Sequence, residues 1–543
     1  TLDFVGDGLM RVSVPSEKLG IIKDINGNTL KSLISNSGLL KANGGIIKLS
    51  AATAKKLSRS SVNIGSSGLI IARSVNDKTG KVVIGSPTNE KIKIAGKIDV
   101  SGHRSLTPSG TIIVRGRSVT HNGKIFARGG TGGKVNIISK DTLKLDGSIF
   151  AQGTKEKGGS VLFLSEKSIS STSKTVVDVS GANKGGGIRS LAKTTNVSSG
   201  TFKSNSEGGK GGNIDLTGDR VEISNAKIEA AGNLMGGKVR IGGDYLGGQD
   251  LTIMDNKSVY GFVSRFGDQP SIQNSKQTIV KADTNIDVSS KEGQGGTAVV
   301  WSDQMTDFNG KINARGAEIL ALTTVVNADK STKKSSKEPP ILTITTKLDP
   351  IESTVVPPPK QMIQLSRNQI KSQVDPPSPK IFDKGGGFVE ISSKNYLKRA
   401  NIAGVSLNGG TLLLDPRDIY VRDSSKSGYT LTSNLNDVDS FNDGTNALYQ
   451  VNSSTIETAL TAGTNVILQA RQDIFVQSDI IATGSSGGDL TLNAGVDIEI
   501  SANITTANGD LNLIANNASV TSRGTSNSDI DVTSTLNLGS GDL

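Results

Sequence analysis

Two histidines, His103 and His121, and the complete absence of cysteine set narrow limits on what this chain can do chemically. Without a thiol there is no disulfide framework, no thiolate metal site and no cysteine nucleophile. Both histidines sit in polar surroundings next to expected turns, with no acidic partner at a motif spacing. They read as surface residues. No Gly-x-Ser-x-Gly elbow precedes a helix, so no serine nucleophile is marked. Asp146, Asp178, Asp215, Asp287 and Asp307 are the carboxylates to weigh for acid–base work or cation binding on a polysaccharide. They fall singly along the chain. If equivalent positions stacked about 4.8 Å apart, some could still meet on one face, which keeps a polysaccharide-processing enzyme open as the alternative reading. The segment Arg128-Gly-Gly-Thr-Gly-Gly-Lys-Val135 has the glycines of a phosphate loop. However, Arg128 stands where the first glycine belongs, and Val135 replaces Ser/Thr. A strand is expected after it, not a helix N-terminus, so it reads as a turn. Trp301 and Tyr245 are expected to complete a core or a turn rather than to bind sugar. Lysines alternate with aliphatic residues, not with aromatic stacking platforms, so only nonspecific nucleic-acid binding is conceivable.

Whatever chemistry exists must be positioned by short strands. The 543 residues include 65 Gly and a single Trp, with 3% aromatic and 34% hydrophobic residues. A wide globular core is excluded, yet the apolar share is too high for a disordered chain. One phrase recurs: a pair of small turn residues, then an alternating apolar strand. It runs from Gly44-Gly45-Ile-Ile-Lys-Leu-Ser50 through copies at Gly132-Gly133, Gly158-Gly159, Gly185-Gly186, Gly211-Gly212 and Gly236-Gly237. Later copies begin at Gly295, Gly409 and Gly487. Between Gly132 and Gly236 the copies lie about 26 residues apart, a solenoid period. A second phrase centres a small residue between two strands, as in Lys91–Val100, Leu143–Ala151, Val221–Ala230 and Asp497–Thr506. Each repeat thus supplies two or three strands with period-two alternation. Such a unit buries its apolar face only by stacking on its neighbours. The expected fold is all-β, a right-handed parallel β-helix of about 20 coils with roughly 4.8 Å between them. The glycines are read as supplying positive φ at fixed turns.

Three regions are expected. Residues 1–322 form basic β-helix coils. Residues 323–380 hold nine of the 14 prolines and the run Lys330–Lys337, and read as an extruded Lys/Pro-rich loop or disordered excursion. Residues 381–543 continue the coils, with a short helix over 454–460 capped by Ser453 or Ser454. From Asn401 onward 16 acidic residues face 5 basic ones, a balance of −11, whereas the first 400 residues carry +22 of the total +11. The basic part could attract anionic glycans, lipopolysaccharide, membranes or nucleic acid, although lysines also simply decorate and protect sheet surfaces. No apolar run is long enough to span a membrane as a helix. The opening residues lack the pattern of a signal peptide, and the chain reads as an excised fragment.

Several landmarks resemble one family. Thr1-Leu-Asp-Phe-Val-Gly-Asp-Gly-Leu9 is similar to the segment after the secretion and haemagglutination-activity domain of filamentous-haemagglutinin-like adhesins. Ile34–Ser50, Ile241–Gly248, Val299–Asp303 and Gly409–Ile419 resemble further landmarks in the family's order, and Thr455–Ala507 its simpler adhesin repeats. The resemblance implies a Gram-negative bacterial protein, secreted or displayed on the outer cell surface through an outer-membrane two-partner secretion transporter. Attachment to a host-cell glycan or protein receptor, bacterial aggregation, or service as the stalk of a contact-dependent toxin would be its role. It implies no catalytic, cofactor-binding or metal-binding residue, and it leaves the receptor-binding residues open. The enlarged Lys/Pro excursion departs from the family, whose members bridge the same coils with a short Gly-rich link.

Overall fold

The structure is a computed structural model. It describes residues 2–5, 9–14, 26–28, 32–51, 60–76, 78–85, 90–102, 107–248, 271–317, 385–423, 449–516 and 528–543. The chain divides into two units, Thr1–Glu318 with Asp383–Leu543, and Ile319–Phe382. The Lys/Pro-rich excursion expected at 323–380 lies outside the described residues, as does His103.

The first unit is an all-β parallel solenoid of about 13 turns, with almost no helix. Each coil contributes to three ladders. The first sheet passes through Ile46–Ala51, Lys81–Ile84, the first half of Thr111–His121, the first half of Lys134–Leu145, Ser160–Ser165, Gly187–Ala192, Asn213–Thr217 and Lys238–Ile241. The second holds Ser60–Ile64, Lys91–Ile94, the second half of Thr111–His121, the second half of Lys134–Leu145, Ser168–Ser171 and part of Thr195–Lys203. The third stacks Leu69–Ile71, Lys97–Asp99, Lys124–Phe126, Ser148–Phe150 and Val176–Asp178. Pairing is parallel throughout these ladders, while Leu2–Val5 joins Leu9–Val14 as an antiparallel hairpin. There are fewer turns than the roughly 20 expected from the repeat period, because three coils carry long insertions. Successive first-sheet partners jump from Ile241 to Val300, from Val300 to Ile391 and from Leu414 to Leu468.

The alternation in the sequence becomes columns in space. Val82, Ile112, Val135, Val161, Ile188 and Ile214 stand directly over one another in the first sheet. Ile70, Ile98, Ile125, Ile149 and Val177 do the same in the third. All are at most 1% exposed, so each coil closes its neighbour's core. At about 25 cal/mol per Å² of apolar area, this burial is the main force holding coil to coil.

The paired glycines have a different cause from the one expected. Only Gly44, Gly409 and Gly410 among them hold positive φ. At Gly159, Gly186, Gly212, Gly237 and Gly296 a Cβ would instead lie far inside van der Waals contact of the carbonyl oxygen of the matching glycine one coil earlier. Those carbonyls accept the next coil's N–H groups, for example Gly187 N to Gly159 O at 3.0 Å and Asn213 N to Gly186 O at 3.0 Å. The glycines are there because the backbone of one coil rests on the backbone of the next.

The short helix expected over 454–460 is the nine-residue helix α1, Ser453–Thr461. Its cap is Asn452, whose side chain accepts the Ser454 N–H at 3.1 Å, and not Ser453 or Ser454. Ile456 and Leu460 bury its inner face. No helix among the described residues is long and apolar enough to cross a membrane.

Candidate functional site

The singled-out carboxylates fall on different faces. Asp178 and Asp287 share a third-sheet column, but Lys203 and Glu229 stand between them. Asp178 accepts from Gln152 Nε2 at 2.8 Å and from Ser180 N at 2.9 Å. Asp287 accepts from Ser289 N at 2.9 Å and Asn313 Nδ2 at 3.2 Å. Asp146 takes the Thr172 hydroxyl. Asp307, on the second sheet, pairs with Arg399 at 3.2 Å. Among the described residues no group of three or more His, Asp or Glu side chains is placed to hold a metal ion.

His121 contradicts the expectation of a surface residue. It points inward from the second sheet, stacked between Ile94 and Leu145, and is fully buried. The reason is register: His121 takes the inward parity of Val119, and the core column continues through it. Burial pushes its pKa down to about 4, so the ring is neutral in the folded chain at pH 7.

The glycine-rich segment from Arg128 is a corner between Lys124–Phe126 and Lys134–Leu145. Phe126 and Phe150 stack with centroids 5.5 Å apart, and the Arg128 guanidinium lies 4.5 Å from the Phe150 centroid. Arg128 also donates to Gln152 at 2.8 Å. These contacts tie consecutive coils together.

The sequence reading missed a sealed polar cluster on the outside of the first sheet. Asp215, Arg240, Val299, Glu390, Leu413 and Ile467 form one outward column, and all six are buried. The turn Tyr245–Gly248 covers part of it. Tyr245, Leu246, Phe388, Leu413 and Ile467 make a second apolar cluster, and Trp301 is buried beside Gly247. Arg240 grips Asp215 with two bonds, 2.7 and 2.9 Å, and reaches Asp244 at 2.6 Å. Leu246 N donates to both oxygens of Glu390 at 3.2 Å. Burial, with Asp415 nearby, holds the Glu390 carboxyl well above its usual range. Burial likewise lifts Asp415 to about 7, against the pull of Arg471 and a Gln469 hydrogen bond. A sequence signal existed: Thr297–Val300, Phe388–Ser392 and Thr411–Asp415 lose the alternation, as strands covered on both faces do.

The C-terminal coils carry a further device. Asp418, Asp473, Asp497 and Asp529 stack at one corner, each side chain accepting the N–H of the next Asp at 3.0–3.4 Å. Asn465, Asp489, Asp510 and Asp542 repeat this at another corner, each bond 2.9 Å. Burial raises the carboxyl pKa values of Asp418 and Asp473. These columns account for much of the acidic balance of the C-terminal part.

The geometry therefore offers stacked, outward-facing columns in successive coils, with one buried polar cluster under a turn. Among solved structures, the chain is similar to the HMW1 secretion domain from Haemophilus influenzae. That likeness has a TM-score of 0.33 and 16% sequence identity, over 70% of this chain and 93% of that one. No family model and no curated protein matches the chain.

Proposed function

We propose that this chain is the shaft of a secreted or surface-displayed filamentous adhesin of the filamentous-haemagglutinin-like kind, and not an enzyme. The observation that supports this most is the stacking itself. Coil after coil presents equivalent outward positions, giving a long, shallow, repetitive surface suited to many weak contacts. The landmark segments Ile34–Ser50, Val299–Asp303 and Gly409–Ile419 support the family, and with it export by an outer-membrane partner. A glycan or protein on a host cell, or another bacterial surface, is the proposed partner.

The test is attachment. Beads coated with the full chain, and bacteria displaying it, are expected to adhere to epithelial cells or to each other above uncoated controls. Adhesion equal to the controls would contradict the reading. Release of reducing sugar from an acidic polysaccharide, abolished by removing a carboxylate, would replace it with the enzyme alternative.

A further inference from the structure

Corner residues entering the first sheet form their own column. Lys157 bridges Lys184, Lys184 bridges Lys210, Lys210 bridges Met235, and Met235 bridges Gln294, all in parallel. Backbone bonds fix the stack: the N–H groups of Gly132, Gly158 and Gly185 donate to the carbonyls of Lys157, Lys184 and Lys210 at 3.1, 2.9 and 2.8 Å. The three lysines are exposed, and none lies in an ion pair among the described residues. Of the neighbouring acids, Glu156 is engaged by the Thr131 hydroxyl, and Glu207 is an exposed turn residue. One coil earlier than Lys157 the position before the glycine pair is Thr131, and exposed Arg128 lies at the far end of that turn, donating to Gln152.

The fold does not require lysine at this position, because Met235 and Gln294 fill it in later coils. Three like charges about 4.8 Å apart at their backbone anchors repel one another, and with exposed Lys155 in the same turns Glu156 and Glu207 offset only part of the positive charge. A small anion meets one or two of the three lysines. A linear polymer running along the stack meets all three at once, and each added contact is then intramolecular. The polymer that fits carries one charge per unit and advances by about one coil per unit, as a polyuronic acid does, with one carboxylate on each sugar. Nucleic acid fits less well: the half-exposed Phe126 and Phe150 stack on each other under Arg128 and leave no free ring face for a base.

We propose that the Lys157–Lys184–Lys210 column binds a linear acidic polysaccharide of the polyuronate class, in register with the coils. This deepens the adhesion reading by naming a ligand class, and it rests on that reading for its purpose alone. The experiment is titration of the full chain with hexagalacturonate. Replacing Lys157, Lys184 and Lys210 by Gln is expected to weaken binding at least about tenfold, and to lower the slope of log affinity against log salt by roughly two to three. Replacing Lys91, Lys93 and Lys144, three exposed lysines of the second sheet, removes the same charge and is expected to cost less than about threefold, the salt-dependent effect of net charge alone. Met235→Lys extends the column and is expected to tighten hexagalacturonate several-fold, while trigalacturonate, titrated alongside, changes by no more than about twofold. Equal losses in the two triple variants, no gain from Met235→Lys, or equal binding of oligothymidine through the same lysines would overturn the proposal. Bead attachment run in parallel separates the two claims. Attachment without polyuronate binding sinks the site alone, and polyuronate binding without attachment sinks the adhesion reading alone.

Discussion

His121 and Asp415 are buried groups whose titrations push stability in opposite directions. The folded His121 pKa is about 4 against 6.5 for the free side chain. As pH falls from 6.5 to 4 the unfolded chain therefore takes up a proton that the folded chain refuses. The difference corresponds to about 3 kcal/mol lost on acidification. Asp415 is raised from 3.8 to about 7, so its favourable contribution is complete below pH 4 and is lost as pH climbs to 7, by up to about 4 kcal/mol. His121→Leu is expected to gain stability over the wild type increasingly toward pH 4, and Asp415→Asn increasingly toward pH 7. Hydrogen exchange of the flanking strands reads each effect locally, which suits a solenoid without one global transition. Parallel curves for wild type and variants would show that these groups are not buried as described. The burial of His121 was partly legible in the sequence, since it keeps the parity of Val119. The polar look of Thr120 and Asn122 hid it.

At the scale of the coil, the glycine pairs are the sharpest claim. Gly186 and Gly187 are neighbours in sequence, yet a Cβ on Gly186 meets the Gly159 carbonyl, whereas one on Gly187 meets nothing within 4 Å. Gly186→Ala is expected to cost at least about 2 kcal/mol by forcing coils apart, and Gly187→Ala to change stability by no more than about 0.5 kcal/mol in either direction. Equal effects, read from hydrogen exchange of the flanking strands, would dismiss the backbone-on-backbone account. The repeat and its apolar columns were readable from alternation alone. The reason for the glycines was not, because a close approach between coils and a left-handed turn leave the same residue in the sequence. Corner aspartates make a similar point. Asp497 accepts the Asp529 N–H at 3.0 Å while standing over Asp473, whose carboxyl is raised by burial, with the Asp497 charge adding to it and the Asp497 N–H opposing it. Asp497→Asn keeps the acceptor and removes the repulsion, so it is expected to match or exceed wild-type stability at pH 7. Asp497→Ala is expected to lose about 1 kcal/mol. The reverse order in a denaturation series would refute the ladder.

Across the whole molecule, the uneven charge has two physical sources. Among the described residues, the basic part carries outward lysines in excess of its acids, and the acidic part carries carboxylates that cap the next coil's backbone. The solenoid was legible from period and composition, because a unit with so few large side chains buries nothing alone. The capped outer column from Asp215 to Ile467 was not legible from repeat spacing, since its cover comes from the turn at Tyr245–Gly248 and reaches strands far along the chain. All of this depends on parallel, in-register stacking, and the natural absence of cysteine makes that directly measurable. Spin labels on cysteines replacing Lys124 and Lys227 lie four third-sheet steps apart, and those replacing Lys124 and Lys311 lie six steps apart. At about 4.8 Å per step, the label separations are expected near 19 Å and 29 Å, although the second pair spans an 84-residue longer stretch of chain. Distances that follow sequence separation, or broad distributions with no common step, would contradict the account.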